Sequence, residues 1–388
     1  MSKYLFLVAV LAISFFESTS VFASEIHYRH AKHHQVKTED GIGLHVLELL
    51  DKNDQPMTEG EPMLLVHGYT SNWNSFRNVA EIYRKKGHRV FLANWRGHGQ
   101  PPFQSLEIAS PESDKKMLFE NLPTFDVPAL IQFVSRESGG RKIIYQGHSM
   151  GGMMAHLAFA GLTKDASGKL VIDIQRAKRL EKLVKAFIPI ASPLSLNTRE
   201  ILGGFLLEPL TSLFNLKNDH SDTISHHIPF GLLHKNLRLT ANYISLRQLG
   251  TLHGLINLEN ISPQEFIDVY YLDGSNVPDT LNRQMRALRL NGYVSEDGEI
   301  SYVALSQWLE SKILYYKSRI PTLLVSAEDD SLALLREQKE LAKKRKLKQV
   351  LLEGVGHIDI LASAEIAKKV ATSTLRFVKD AACEAALE

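Results

Sequence analysis

A short stretch around residue 149 constrains the fold of this chain more than any other. Ile143-Ile144-Tyr145 reads as a buried strand, and the Ala- and Met-rich run at 153–160 has good helix propensity. Between them lies Gly147-His148-Ser149-Met150-Gly151, so the sequence predicts a sharp turn from strand to helix. A Cβ atom at either glycine would clash in so tight a turn. We therefore expect Ser149 to have a strained backbone and a hydroxyl that is lifted clear of the sheet edge.

The same strand and helix alternation continues on both sides of this turn. Apolar runs typical of buried strands occupy residues 62–66, 88–93, 143–147, 185–191, 320–325 and 348–353, and a further early strand is predicted at 44–49. Helical spacing falls at 74–86, 125–138, 331–347 and 361–377. This alternation predicts an α/β fold with a mostly parallel central sheet flanked by helices. In such a sheet ligands bind at the carboxyl ends of the strands, where His67, Ser149 and Ser192 are expected.

Residues 195–319 interrupt the alternation. They contain no buried-strand pattern but are rich in Leu, Phe, Tyr and Ile. We expect a helical cap, or lid, over the strand ends, with a larger core or a partner interface as the alternative. The predicted organisation is an α/β core in two parts, 24–194 and 320–388, separated by the 195–319 cap.

The first 23 residues match a secretory signal peptide. Lys3 precedes a mainly apolar run over 4–16, and small residues lead to a predicted cleavage after Ala23. The run is shorter than the roughly 20 residues that a membrane-spanning helix needs, although an uncleaved anchor is the alternative. We therefore predict a secreted or periplasmic protein. The single cysteine, Cys383, excludes an internal disulfide and is interpreted as a bystander.

Charge and histidine content also limit the partners. The chain carries 45 basic and 43 acidic residues, a net charge of +2, which argues against nucleic acid as the main partner. Histidines cluster between residues 27 and 34, but their spacing does not define a metal site. We expect that segment to be solvated and flexible, and we predict neither a metal nor an organic cofactor.

Three strand ends supply the side chains of a nucleophilic triad. A serine needs a base to remove its proton, and a carboxylate must orient that base. Ser149 follows one predicted strand, Glu328-Asp329-Asp330 follows the next to last, and His357 follows the last. Ser, acid and His in this chain order are typical of a G-x-S-x-G turn that carries a triad. We prefer Asp330 as the acid, with Asp329 and Glu328 as alternatives.

An oxyanion hole requires two backbone N–H groups near the serine. The N–H of Met150 begins the predicted helix after Ser149, where its partial positive charge can meet a developing negative charge. The strand at 62–66 ends in His67-Gly68, and a backbone N–H just past such a strand can supply the second donor. The candidate donors are Tyr69 and Met150.

These motifs together resemble the α/β-hydrolase superfamily. The helix at 125–134 and the His357-Ile358-Asp359 sequence further resemble acid lipases of the gastric and lysosomal type. The resemblance implies an α/β-hydrolase fold with an inserted cap, and it aligns Asp330 with the catalytic aspartate. Met150 departs from the family, which usually has glutamine there. A backbone donor at that position is unaffected, so the departure concerns substrate preference.

The combined prediction is an exported serine hydrolase that cleaves carboxylic esters, of lipid-like acyl chains, through an acyl-enzyme. The cap is the surface expected to contact a membrane or lipid droplet. One alternative is an acyltransferase that uses the same triad. The other is an inactive hydrolase fold that acts as a binding protein. Haloalkane and epoxide reactions are disfavoured because the corresponding superfamily members have an aspartate in place of Ser149.

Overall fold

The computed structural model describes residues 29–99, 103–105, 117–193, 227–228, 254–275, 277–278, 280–281, 284 and 318–385. The predicted signal peptide and most of the predicted cap lie outside these residues. In the described part the strands are β1 (Ala31–Lys37), β2 (Gly43–Leu49), β3 (Met63–Val66), β4 (Val90–Ala93), β5 (Ile143–His148), β6 (Leu162–Lys164), β7 (Leu170–Ile172), β8 (Val184–Ile190), β9 (His227–Ile228), β10 (Val277–Pro278), β11 (Leu323–Ala327) and β12 (Lys348–Leu352).

Eight of these strands form one sheet in the order β1-β2-β4-β3-β5-β8-β11-β12. The six from β4 to β12 pair in parallel, while β2 is antiparallel to both β1 and β4. The predicted mostly parallel sheet is therefore present. Because the parallel strands run the same way, β3, β5, β11 and β12 bring their carboxyl ends to one edge, where the predicted site residues follow them.

The helices are α1 (Arg77–Lys85), α2 (Val127–Glu137), α3 (Met150–Phe159), α4 (Ile174–Glu181), α5 (Pro263–Asp268), α6 (Leu335–Arg345), α7 (Asp359–Ala362) and α8 (Ala364–Ala385). A 3₁₀ turn (Trp73–Phe76) precedes α1, and π-helical turns (Leu122–Asp126 and Val269–Asp273) adjoin α2 and α5. The single closing helix predicted at 361–377 is divided, because Ser363 has an extended backbone with ψ of 125°. Among the described residues, no helix is long and apolar enough to cross a membrane.

Helices cover both faces of the sheet. Residues of α2, α3, α4 and α6 pack in one apolar cluster, and residues of α1, α7 and α8 pack in a second. Strand β3 lies between them, with Leu64 and Val66 in the first cluster and Met63 and Leu65 in the second, all fully buried. Alternate side chains of a strand point to opposite faces, so a strand covered on both sides is apolar throughout. This explains why the sequence revealed the parallel strands.

The histidine-rich segment differs from its prediction. Residues 31–37 are not a flexible tail but the edge strand β1, paired antiparallel with β2. His34 Nε2 lies 2.9 Å from Glu48 Oε2, and His33 Nδ1 lies 2.8 Å from His45 Nε2. The sequence did not reveal this strand, because its polar side chains contact partners on β2 and such cross-strand contacts leave no local sequence pattern.

The polar region after α3 and the described part of the cap also contain short strands. β6 and β7 form a hairpin before α4, where only a surface excursion and helix were predicted. In the predicted cap, β9 and β10 form a two-stranded antiparallel pair. Helix α5 begins with a capping box, in which Ser262 and Glu265 satisfy each other's backbone N–H groups.

Candidate active site

The predicted sharp turn lies between β5 and α3, with Ser149 as its single linking residue. Ser149 has φ of 51° and ψ of −120°, in a region that side chains other than glycine rarely occupy. A Cβ on Gly147 would lie 2.4 Å from the carbonyl carbon of Gly151, and one on Gly151 would lie 2.3 Å from the carbonyl oxygen of Val66. The glycines therefore allow the turn to close, as the sequence predicted.

A third glycine is needed for a reason that the sequence did not reveal. A Cβ on Gly152 would lie 2.0 Å from Ser192 Oγ, because the loop after β8 packs against the first turn of α3. The Ser192 hydroxyl lies within hydrogen-bond distance of two carbonyl oxygens, those of Gly147 and Ile190. Ser192 is thus at a strand end, as expected, but it braces the turn through backbone contacts.

The structure brings three predicted side chains into one hydrogen-bonded chain. His357 Nε2 lies 2.9 Å from Ser149 Oγ, and His357 Nδ1 lies 2.8 Å from Asp330 Oδ2. The other carboxylate oxygen, Asp330 Oδ1, accepts hydrogen bonds from the backbone N–H groups of Leu332 (2.7 Å) and Ala333 (2.8 Å). All three residues are buried. The carboxylate is thereby fixed on one side and directed to the imidazole on the other.

The two alternative acids lie elsewhere. Glu328 is exposed, and its Oε2 accepts a hydrogen bond from the N–H of Gly354 at 3.1 Å. Asp329 is half-buried, and its backbone N–H donates to the carbonyl oxygen of Val355. Of the three consecutive carboxylates, the structure places Asp330 against His357.

Both candidate oxyanion donors belong to segments that converge on Ser149. β3 pairs in parallel with β5, with Val66 beside Gly147, so the residues after β3 lie next to the turn. A Cβ on Gly68 would lie only 3.1 Å from Ser149 Cβ. His98 Nε2 lies 2.7 Å from the carbonyl oxygen of Tyr69 and so holds the main chain directly after the candidate donor. The N–H of Met150 is the first of α3 and so has no partner within the helix. Two backbone donors are thus carried by the segments that flank the serine.

His148 is a functional candidate that the sequence reading missed. Its Nε2 donates to the carbonyl oxygen of His357 at 2.9 Å. Burial, aided by the neighbouring His357, lowers the pKa of His148 to about 3, so the ring is neutral. Its Nδ1 is buried and has no hydrogen-bond partner among the described residues. His148 therefore ties the main chain of His357 to the strand that carries Ser149.

His67 has a comparable role at the end of β3. Its Nδ1 donates to the carbonyl oxygen of Gly68 at 2.7 Å, and its Nε2 accepts from the N–H of Trp95 at 3.3 Å. Burial lowers the pKa of His67 well below its usual value, which keeps the ring neutral and leaves Nε2 able to accept. His67 thus holds the loop with the candidate donor Tyr69 and does not contact Ser149 as a second base.

Among the described residues, no group of three or more His, Cys, Asp or Glu side chains is placed to hold a metal ion. The site itself carries a serine hydroxyl, an imidazole, a carboxylate and backbone N–H groups. Such a set supports nucleophilic attack on a carbonyl carbon.

Comparisons with known proteins concern the fold and part of the sequence. A family model described as the alpha/beta hydrolase fold matches residues 61–165. Human Lipase member M is 30% identical over 135 residues, 33% of this chain and 32% of that protein. Gastric triacylglycerol lipase of Mus musculus is 29% identical over 140 residues, 34% of this chain and 35% of that protein. Lysosomal acid lipase/cholesteryl ester hydrolase of Rattus norvegicus is 26% identical over 177 residues, 42% and 40% of the two chains. The match thus spans about a third of the length of the first relatives.

Solved structures extend the likeness in fold to most of the chain. The thioesterase domain from the curacin biosynthetic pathway has a TM-score of 0.51 and 18% identity, and covers 89% of this chain and 99% of its own. An esterase from Thermogutta terrifontis has a TM-score of 0.52 and 15% identity, with coverage of 90% and 99%. At these identities the likeness concerns the fold alone. The chain therefore has the α/β-hydrolase fold, and over about a third of its length it is similar to gastric and lysosomal lipases.

Proposed function

We propose that this protein is a serine hydrolase that cleaves carboxylic esters of lipid-like acyl chains. The observation that carries the proposal is the chain of hydrogen bonds from Asp330 through His357 to Ser149, at the strand ends of an α/β-hydrolase sheet. Each member sits in the chain order that such a fold uses for a nucleophile, an acid and a base. The backbone donors of Tyr69 and Met150 complete the arrangement.

The reaction follows from the roles that the geometry permits. Ser149 Oγ attacks the ester carbonyl carbon while His357 Nε2 takes its proton, and Asp330 stabilises the imidazolium. The N–H groups of Tyr69 and Met150 stabilise the negative oxygen of the tetrahedral intermediate. His357 then gives its proton to the alcohol oxygen as the ester C–O bond breaks. The acyl group stays bonded to Ser149 Oγ as the acyl-enzyme. Water, deprotonated by His357, hydrolyses this intermediate and regenerates Ser149.

Two features support acyl chains as the substrate class. Relatives that are 29% and 26% identical carry the names triacylglycerol lipase and cholesteryl ester hydrolase, although the match spans only part of them. The sequence at 195–319 is rich in apolar side chains, which suits a cap that holds an acyl chain or contacts a lipid surface. The N-terminal pattern at 1–23 adds export to the proposal, with the secreted or periplasmic space as the destination.

Fluorophosphonate labelling is the direct test of the nucleophile. We expect the wild type to be labelled, and Ser149→Ala and His357→Ala to lose the label. Ser192→Ala is the matched control, since this serine also follows a sheet strand but contacts backbone carbonyls. An unlabelled wild type, or equal loss in the control, would refute the assignment.

Substrate range is tested separately. Initial rates on p-nitrophenyl esters of increasing chain length and on triglyceride emulsions are expected to favour the longer chains. A strong preference for p-nitrophenyl acetate would refute the lipid-like substrate while leaving the triad intact. Product analysis in the presence of an alcohol acceptor distinguishes hydrolysis from acyl transfer, because both reactions share one acyl-enzyme.

A further inference from the structure

One segment of the predicted cap lies directly against the two loops that carry Asp330 and His357. We call residues 254–260 the strap. The N–H of Ser331, which follows Asp330, donates to the carbonyl oxygen of Gly254 at 2.9 Å, and the N–H of Ile358, which follows His357, donates to that of Leu255 at 2.9 Å. Consecutive strap carbonyls thus bind the residues directly after the acid and the base.

Asp359 forms the polar centre of this contact. Its Oδ1 accepts hydrogen bonds from the N–H of Gly356 and the N–H of Asn257, both at 3.0 Å. Its Oδ2 accepts from Asn260 Nδ2 at 2.7 Å. One donor therefore precedes His357 in the chain, and two come from the strap. The carboxylate of Asp359, two residues after His357, thus connects the His357 loop to the strap.

The strap also binds the turn before His357. Asn257 Nδ2 and Asn260 Nδ2 both donate to the carbonyl oxygen of Gly354, at 2.7 and 2.8 Å. A Cβ on Gly356 would lie 2.7 Å from Asp359 Oδ1 and 3.2 Å from the backbone nitrogen of Ile256. A side chain at position 356 would therefore crowd both the carboxylate of Asp359 and the backbone of the strap.

The burial of Asp359 needs an explanation that catalysis does not supply. The residue is 0% exposed, and among the described residues no Lys, Arg or His forms an ion pair with it. Burial raises the pKa of Asp359, while hydrogen bonds from Asn257, Asn260 and Gly356 oppose this increase. The carboxylate touches neither Ser149 nor the ring of His357. A buried acid bound only by N–H groups of two segments serves to hold those segments together.

We propose that Asp359 is a positioning residue that fixes the His357 loop to the strap and so makes the triad geometry depend on the inserted part of the chain. This inference rests on the proposed function, since it assumes that His357 is the base. Displacement of a base by about 1 Å can cost about 100-fold in rate, so loss of the strap contact is expected to affect the chemical step. Substrate binding is expected to change little.

Three variants test the proposal. Asp359→Asn keeps the shape of the side chain but replaces one acceptor oxygen with a donor, and Asn260→Ala removes the strap side of the same contact. Glu328→Gln is the matched control, because Glu328 accepts a hydrogen bond from the N–H of Gly354 but, among the described residues, forms no hydrogen bond with the strap. Measurements are kcat and KM on a soluble p-nitrophenyl ester, the rate of fluorophosphonate labelling, and thermal unfolding.

We expect Asp359→Asn to lower kcat and the labelling rate by about 10- to 100-fold, with KM within about threefold of the wild type. Asn260→Ala is expected to act in the same direction, and the double variant to lose less than the product of the two single losses, since both variants remove the Asn260–Asp359 hydrogen bond. Glu328→Gln is expected to stay within about twofold of the wild type. A folded Asp359→Asn protein with wild-type kcat, or one changed only in KM, would overturn the proposal.

A spectroscopic measurement separates this inference from the proposed function. The proton on His357 Nδ1, which is hydrogen-bonded to Asp330 Oδ2, is expected to give a far-downfield resonance in the wild type. In Asp359→Asn the resonance is expected to shift or broaden, and in Glu328→Gln to persist. An unlabelled wild type refutes the hydrolase itself, whereas a labelled wild type with an unchanged resonance and labelling rate in Asp359→Asn refutes only the positioning role.

Discussion

Replacement of Asp330 by asparagine offers a sharp test of the proposed triad, because the structure dictates how the new amide must point. Oδ1 of Asp330 accepts two backbone N–H groups, those of Leu332 and Ala333, and Oδ2 faces His357 Nδ1. The amide oxygen of Asp330→Asn must remain on the two N–H donors, which leaves the NH₂ group facing the imidazole. His357 Nδ1 then accepts a hydrogen bond, so its proton moves to Nε2, where the ring can no longer act as a base for Ser149.

The magnitude follows from the cost of the opposite orientation. A flipped amide would restore the correct tautomer but would set its NH₂ group against two buried N–H donors. Each unsatisfied donor costs about 1–3 kcal/mol, so the flipped state lies about 2–6 kcal/mol higher. At about 1.4 kcal/mol per factor of ten, the productive tautomer falls by roughly 30- to 10⁴-fold. We expect kcat of Asp330→Asn to fall within this range while KM stays nearly constant.

The assay is steady-state hydrolysis of a p-nitrophenyl ester, accompanied by thermal unfolding to show that the variant folds. Asp329→Asn is the matched control, since it changes the adjacent carboxylate and retains Asp330, whose Oδ2 lies 2.8 Å from His357 Nδ1. A loss of less than about tenfold in folded Asp330→Asn would refute the tautomer argument. A larger loss in Asp329→Asn would transfer the acid role to the alternative residue.

Three further predictions concern stability. Gly147→Ala is expected to lower the melting temperature by about 10 °C or to prevent folding, because the new Cβ would lie 2.4 Å from the carbonyl carbon of Gly151. The control Gly43→Ala is expected to be tolerated, because its Cβ would meet only the end of a glutamine side chain. Burial lowers the pKa of His156 to about 3, so between pH 6.5 and 3 the unfolded chain binds more protons than the folded chain. The free energy of unfolding therefore falls as pH falls through this range. His156→Leu is expected to reduce this pH dependence by up to about 1.4 kcal/mol per pH unit, measured by urea unfolding. Arg77→Met leaves the buried carboxylate of Asp273 without its salt bridge and is expected to cost about 3–5 kcal/mol in the same assay.

Each of these has a contradicting outcome. Equal melting temperatures for the two alanine variants would show that the turn has more room than the structure gives it. A wild type as stable at pH 5 as at pH 7.5 would show that buried histidines do not govern acid stability. A loss below about 1 kcal/mol in Arg77→Met would show that Asp273 is protonated or solvated, because an unpaired buried charge costs more.

The sheet could be predicted because its strands are covered on both sides. A run such as Met63–Val66 is apolar at every position, and that pattern is visible without knowing what covers it. Helix positions followed from apolar spacing, but their ends did not. In the structure α6 begins at Leu335, whereas the sequence predicted a start at 331. The residues after Asp330 first form a turn, so the helix begins later. Element ends depend on tertiary contacts that local patterns do not record.

The edge strand β1 shows the opposite case. Its residues His33 and His34 look like a solvated tail in the sequence, since polar side chains predominate. The carboxylate of Glu48 and the ring of His45 supply partners from β2. An antiparallel edge is specified by cross-strand pairs, and such pairs become visible only when the register is known.

The sequence by itself determined the turn at Ser149, because the steric demand for glycine at positions 147 and 151 is local to a few residues. It also placed Asp330 and His357 after the two strands that precede them in the structure, β11 and β12. Only the tertiary structure decided which of three consecutive carboxylates faces His357, since that depends on the turn at 332–333. It alone brought the strap to Asp359, from about 100 residues away in the chain. Local sterics are encoded where they act, whereas contacts between distant segments exist only after the chain has folded.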